Sequence, residues 1–600
     1  MKNVDTIAVL DFGGQYAHLI ANRVRRLGVF TEILPPTASI EDLEGVKGII
    51  YSGGPSSVYK KGAPHFNPAI LSIPVPQLGV CYGHQLIATH LGGKVAPGAV
   101  KEYGIADLEI QDESHPLLAG IPKKSPMWMS HGDMVSETPD CYKIIASTKD
   151  CKTAAVAYDE KKIYGIQFHP EVTHSQFGSQ VFSNFISICG CVPSWSMKSY
   201  LPLISKQIKE EVGDKNVFLL VSGGVDSTVA FVLLNKVLGP SRVQGLHIDS
   251  GMMRLDESKK VLEFLEAEGM KNLMVSDASE DFLQALKGIT APEEKRKRIG
   301  ATFLQVKDRE MSRLKLDPFQ WMIAQGTIYP DTIESGGTEN ADLIKTHHNR
   351  VQEVLDLMKE GLLLEPLADL YKDEVRLLGE ELGIPHNLVW RHPFPGPGLG
   401  VRLLCTDGTH ALPGKEKVEG LDLYLKEKKI EGRLLPIQSV GVQGDGRTYA
   451  QPFLITTKNL DWKSCERLST ELVNHFKEIN RVVVEIGAIS NSEPTLSSQF
   501  ATREAFDSLR SFDHICTEFL QEHDLYEKIW QMPVVQTPLR LNDKPCIVIR
   551  PINSSEAMTA SFAEIDLSLV HRLWLSLQKA GAGAMWYDVT HKPPGTIEWE

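Results

Sequence analysis

The sequence predicts an α/β protein of several domains, and three observations predict it. Short apolar runs alternate with helix-like stretches through the first third. A second apolar run, 217–221, ends in the glycine turn Ser222-Gly223-Gly224-Val225-Asp226-Ser227 and leads into another helix-like stretch. The chain has 600 residues, which at roughly 150 per domain implies three to four cores. Composition is that of ordinary globular material, with 42% hydrophobic and 23% charged residues. A net charge of -13 argues against nucleic acid as the primary partner. The nine cysteines are scattered and odd in number, which suggests neither a disulfide framework nor a zinc site, and points to a reducing compartment. Asp5 and Asp11 bracket the first apolar run, leaving no signal-peptide core, and no window approaches ~18 continuous apolar residues. The expectation is a cytoplasmic protein with no membrane partner.

In the first third, strands are expected at 7–10, 48–51 and 76–80, with a helix over 16–27. This is the pattern of a mostly parallel sheet covered on both faces. Gly79-Val80-Cys81-Tyr82-Gly83-His84-Gln85 then reads as a sharp strand-to-helix turn, with glycines flanking a crowded, exposed cysteine over a helix N-terminus. A lone cysteine is usually an inert core residue. Here a partner follows the strand 163–167: His169 can take the thiol proton, and Glu171 can orient the imidazole.

Ser52-Gly53-Gly54-Pro55, the Cys81 turn and the His169/Glu171 pair together resemble the class I glutamine amidotransferases. The resemblance implies a thioester intermediate, released ammonia and an oxyanion hole from the N–H groups of Gly53 and Tyr82. It also implies glutamine-binding roles for Gln85 and for His131, Gly132 and Asp133 of the Ser130-His131-Gly132-Asp133 motif. His84 departs from the family, where methionine is frequent, and leaves the triad intact.

Residues 192–197 interrupt the pattern and read as a linker. The turn at 222–227 gathers unpaired N–H groups, a helix dipole and two serine hydroxyls into an anion cradle. It lacks the lysine of the nucleotide-retaining P-loop. It resembles the loop of the ATP pyrophosphatases, which implies ATP binding by Ser222, Gly223, Gly224, Val225, Asp226, Ser227 and Thr228. Ser250 stands where that family more often has asparagine. The basic run 292–298 is either a solvated helix face or a local cationic cluster for a phosphate-bearing substrate. The paired His347 and His348 lack a third ligand of fitting spacing, so a zinc site is the weaker reading.

The stretches 325–331, 344–349 and 391–398 extend the resemblance to nearly the whole chain, which looks like the glutamine-hydrolysing GMP synthase family. What this implies is adenylation of the C2 oxygen of xanthosine 5′-monophosphate (XMP) by MgATP, attack by ammonia and loss of AMP. Arg296 would contact XMP, and Lys345, His347 and His348 would be lid residues. Mg²⁺ is implied without assigned protein ligands. The alternatives are another ATP-pyrophosphatase enzyme, such as NAD synthetase, or a regulatory homologue without chemistry; the intact set Cys81, His169, Glu171, Asp226 and Ser227 speaks against the last.

In the last third, 434–440 recurs in outline as 531–537, and each is followed by a helix-like run and a strand. Pro436 and Pro533 are 97 residues apart, Val484 and Tyr587 103, a difference that one loop absorbs. This resembles the family's dimerisation domain present twice, at 425–487 and 525–600, and implies a monomer or weak homodimer. The resemblance also assigns Asp445, Gln531, Lys592 and Glu598 to XMP. The expected domains are 4–192, 193–393 and 394–600.

Overall fold

Residues 7 and 9 of the first apolar run face one side of a sheet and residues 8 and 10 the other, and both sides are buried. The computed structural model describes residues 4–13, 16–314, 319–329, 362–409, 418–443, 446–456, 461–554 and 559–600. The chain divides into two compact units, one of residues 1–211, 327–359 and 365–381, the other of 212–326, 360–364 and 382–600.

The first unit is built on a nine-stranded sheet. Its strands are β1 (Thr6–Leu10), β2 (Phe30–Leu34), β3 (Gly48–Tyr51), β4 (Gln77–Val80), β5 (Lys94–Ile110), β6 (Lys124–Glu137), β7 (Lys143–Ser147), β8 (Ala155–Tyr158) and β9 (Ile163–Ile166). The order β2-β1-β3-β4-β9-β8-β7-β5-β6 places five parallel strands on one side and an antiparallel extension on the other. Helices α1 (Tyr16–Arg26), α2 (Tyr82–His90) and α3 (Gly178–Ile188) cover it. The carboxyl ends of β3, β4 and β9 lie side by side, so whatever follows them in sequence is brought together.

The second unit contains a parallel sheet of β10 (Asn216–Leu220), β11 (Val243–Asp249), β12 (Leu273–Asp277), β13 (Trp321–Ala324) and β14 (Leu363–Leu364), ordered β12-β11-β10-β13-β14. The glycine turn leaves the central strand β10. A further eight-stranded sheet holds β15 (Gly432–Leu434), β16 (Ser439–Gln443), β17 (Gly446–Ile455), β18 (Ile479–Ala488), β19 (Thr495–Leu496), β20 (Val534–Leu541), β21 (Lys544–Ile549) and β24 (Ala584–Asp588). A separate ribbon pairs β22 (Ile552–Asn553) with β23 (Ser561–Phe562). In the large sheet the hairpin β16–β17 is followed by a helix and by β18 parallel to β17; the hairpin β20–β21 is followed by a helix and by β24 parallel to β21. β18 and β24 pair antiparallel at the centre. The α/β class expected from the sequence is the class observed. No helix among the described residues is long and apolar enough to cross a membrane.

Candidate functional site

Cys81 terminates β4 with φ 48° and ψ -103°, outside the regions a side chain favours, and it caps α2. Flanking glycines make the turn possible: a Cβ on Gly79 would lie 2.6 Å from the backbone of His84, and one on Gly83 would strike the Tyr51 carbonyl. The Cys81 N–H donates to Ile166 O at 2.7 Å, which ties the turn to the end of β9. Three residues further on, His169 Nδ1 meets Glu171 Oε1 at 2.6 Å, and both side chains are fully buried. Burial disfavours a charged imidazole here, but the Glu171 carboxylate and the Cys81 sulfur outweigh it and hold His169 well above its ordinary range. Its Nε2 makes no well-formed hydrogen bond. The Tyr16 ring covers the imidazole at 4.6 Å, and Arg23 donates to the Glu171 carbonyl at 2.9 Å. Gly53 follows β3, where a Cβ would come within 3.2 Å of His169 Cε1, so glycine permits the approach. Tyr82 opens α2, and its N–H has no acceptor within the helix.

The residues assigned to glutamine divide. The Gln85 amide is buried and donates to Asp133 O at 2.8 Å and to Gln167 Oε1 at 3.1 Å. His131 turns inward, with Nε2 3.0 Å from Glu102 Oε2 and Nδ1 3.1 Å from Asp133 O. The Asp133 carboxylate is more open and accepts from the Tyr59 hydroxyl at 2.8 Å. His84 is wholly buried, and burial lowers its pKa to about 4. Gln167, Glu102 and Tyr59 carry no recognisable local signal; their partners come from strands and loops distant in sequence.

At the glycine turn, Gly224 caps a helix of residues Val225–Leu238, and Gly223 adopts φ +82°. Ser222 Oγ lies 3.1 Å from Ser227 Oγ and accepts from Gly224 N at 3.3 Å, while Thr228 Oγ1 donates to Gly224 O at 2.8 Å. A Cβ on Gly326 would press on the Ser227 backbone at 3.0 Å, so a second glycine keeps the turn open. Arg391 bonds the Gly223 carbonyl and pairs with Glu257 at 3.0 Å.

The basic run is not one cationic face. Lys295 is 1% exposed and donates to Gly400 O at 3.1 Å and Leu403 O at 2.7 Å, so it belongs to the interior. Arg296 pairs with Glu293 at 2.7 Å and also bonds the Glu600 carbonyl. Glu598 is held by both arms of Arg402, at 3.0 and 3.1 Å. Gln531 donates to Pro393 O at 3.0 Å, and the backbone of Lys592 pairs with Ala560. Asp445, Lys345, His347 and His348 lie outside the described residues.

A cysteine turn backed by a His–Glu pair on one parallel sheet, with a lysine-free glycine turn on another, defines a class I glutamine amidotransferase joined to an ATP-pyrophosphatase domain. Family models agree: "Glutamine amidotransferase class-I" matches residues 8–189, "NAD synthase" 197–312 and "GMP synthase C terminal domain" 518–599. A protein of Leptospira interrogans serovar Lai named "Probable GMP synthase (glutamine-hydrolyzing)" is 45% identical, over 99% of this chain and 99% of its own. The "GMP synthase (glutamine-hydrolyzing)" of Lactobacillus johnsonii is 43% identical, over 81% of this chain and 97% of its own, and that of Lactobacillus acidophilus 42% over the same shares. The chain belongs to the glutamine-hydrolysing GMP synthase family.

Proposed function

We propose that the chain converts XMP to GMP, with residues 4–192 releasing ammonia from glutamine, 193–393 adenylating XMP and 394–600 holding XMP. The observation that carries the reading is the Cys81 turn with its 2.6 Å His169–Glu171 pair, in one chain with a lysine-free glycine turn that opens the helix Val225–Leu238. Cys81 Sγ forms a bond to the glutamine amide carbon as its proton passes to His169 Nε2. His169 returns that proton to the departing nitrogen, ammonia leaves, and water cleaves the thioester to glutamate and thiol. Gly53 and Tyr82 donate to the oxyanion, and Asp133 and Gly132 meet the glutamine α-groups with Gln85 and His131 bracing them from behind.

At the second site the C2 oxygen of XMP attacks the α-phosphorus of ATP, and pyrophosphate leaves. Ammonia then bonds to C2, the C–O bond to AMP breaks, and a proton is lost to solvent. Residues 222–228 take the phosphates. The hard oxygen donors Ser222, Asp226 and Ser227 suit Mg²⁺, which when bound neutralises charge on the departing pyrophosphate. Arg296, Asp445, Gln531, Lys592 and Glu598 are assigned to XMP, and Lys345, His347 and His348 to a lid. Unpaired cysteines support a cytoplasmic setting. Incubation with XMP, MgATP and glutamine is expected to yield GMP, AMP, pyrophosphate and glutamate in equal amounts; failure to form GMP and AMP overturns the reading.

A further inference from the structure

We infer that Gln167 is a further catalytic residue of the glutaminase site, donating a hydrogen bond to the Cys81 sulfur and favouring its thiolate. The inference rests on the reading of Cys81 as the nucleophile. Nε2 of Gln167 stands 3.4 Å from Sγ; Gln167 is fully buried, and Cys81, expected from its turn to be exposed, is buried too, because neighbouring strands and loops close over the turn. An amide has a donor end and an acceptor end, and only the donor favours a charged sulfur.

The surroundings decide which end faces Cys81. A backbone carbonyl only accepts, so Gln85 must turn its nitrogen to Asp133 O, at 2.8 Å. The other hydrogen of that nitrogen reaches Gln167 Oε1 at 3.1 Å, which leaves Gln167 Nε2 directed at the sulfur. The base of the relay is fixed as well: His131 Nδ1 lies 3.1 Å from the same Asp133 oxygen, its Nε2 meets Glu102 at 3.0 Å, and Thr148 donates to Glu102 at 2.8 Å. Gln167 itself is anchored by its backbone N–H, which donates to Ala154 O at 2.9 Å. The polarity of the chain is thus set by one main-chain oxygen and ends on the nucleophile.

The sulfur carries most charge before it attacks glutamine and again as water expels it from the thioester. A fixed donor therefore assists generation of the nucleophile and its release, and adds nothing to the second active site. His169 supplies the proton path; Gln167 moves no proton.

The test is alkylation of Cys81 by iodoacetamide across a pH series, followed on the Cys81 peptide by mass spectrometry. Gln167→Met keeps the length without the donor. It is expected to raise the pH midpoint by about one unit and to slow alkylation at neutral pH by about tenfold. Gln167→Glu, which sets an acceptor against the sulfur, is expected to raise the midpoint at least as far. Ammonia-dependent GMP synthesis and the melting temperature report folding, and whichever variant folds decides the matter. An unchanged midpoint overturns the donor role. Cys81→Ala separates this from the site itself: if it kept glutamine-dependent synthesis, the nucleophile assignment would fall, whereas its inactivity beside an unshifted Gln167 variant removes the donor role alone.

Discussion

His169 Nδ1 and Glu171 Oε1 are 2.6 Å apart in a space closed to solvent, although only one residue separates them in sequence. In the neutral ring this contact places hydrogen on Nδ1 and the lone pair on Nε2, the arrangement that the proposed transfer of the thiol proton needs. It also holds the imidazolium that forms on proton transfer, in line with the upward shift of His169. Glu171→Gln keeps the shape and removes the charge. Glutamine-dependent turnover is expected to fall by about 10²–10⁴. Ammonia-dependent turnover, measured in the same preparation, is expected to stay within twofold, on the order of a surface substitution. Equal loss of both would mean that Glu171 serves the fold.

The turn at Ser222–Ser227 predicts the opposite partition. Asp226 sits in the first turn of the helix Val225–Leu238, in the same glycine turn whose Ser222 and Ser227 hydroxyls lie 3.1 Å apart. Asp226→Ala is expected to stop pyrophosphate release with either glutamine or ammonium as nitrogen source. Glutamine hydrolysis by the Cys81 site would keep its chemistry. Retained XMP-dependent pyrophosphate release would exclude the assignment.

His84 gives the glutaminase unit an acid-sensitive fold. It is fully buried, and burial lowers its pKa to about 4 from 6.5, outweighing a contact with the Thr153 backbone that acts the other way. Between those values the unfolded chain binds a proton that the folded chain refuses, so stability rises with pH there and is lost as pH falls below 6.5. From pH 7 to pH 5 the loss from this one group is about 2 kcal/mol. His84→Met is expected to flatten that limb by this amount in urea titrations at the two pH values. His18, also lowered to about 4 by burial, leaves a residual slope. An unaltered pH dependence would show that His84 is not the group responsible.

The parts of this architecture that were legible are those whose signal is local. A strand, a glycine turn and a helix lie within a few residues at both 77–90 and 216–238, and His169 and Glu171 belong to one turn. Glu102 and His131 became partners only through the register of β5 with β6, and Arg402 meets Glu598 across 196 residues. Lys295 shows the limit most clearly. In a run of charged residues it reads as solvated, yet its ammonium satisfies carbonyls from a segment more than a hundred residues away. The solvation of one lysine within a run depends on tertiary partners that the run does not encode.

The tail needs a point mutation rather than a truncation. Trp599 is fully buried with its indole N–H 2.9 Å from Asp588, and Arg402, also fully buried, depends on Glu598. Removing the last ten residues would empty a tryptophan site, at about 3–5 kcal/mol, and leave a buried guanidinium short of a partner, at a similar cost. Lys592→Ala avoids both. If Lys592 binds XMP through a charge-assisted hydrogen bond, the XMP dissociation constant rises by about tenfold or more with ATP affinity unchanged. Calorimetric titration checks this, and equal XMP affinity in the variant removes Lys592 from the site.

The last prediction concerns assembly and follows from the central strand pair of the C-terminal sheet. A two-fold dimer joined through a sheet sets one strand against its own copy, antiparallel. In this chain β18 and β24 occupy those two places: Val484 faces Tyr587 and Glu485 faces Trp586, with a hairpin, helix and parallel strand arranged in like order on each side. Val482, Val484, Trp586 and Tyr587 are fully buried within the single chain, and the facing edges of β18 and β24 are already paired, so this seam offers neither to a second copy. The Lactobacillus johnsonii relative is matched over 97% of its length by only 81% of this chain, so the present chain holds sequence that it lacks. We propose that the two halves act as an internal pseudo-dimer and that the protein is monomeric or only weakly self-associating. Sedimentation equilibrium at micromolar concentration is expected to return a mass near 66.6 kDa. A mass near twice that value, persisting on dilution, would show that the second half enlarges an interface between chains instead of replacing it.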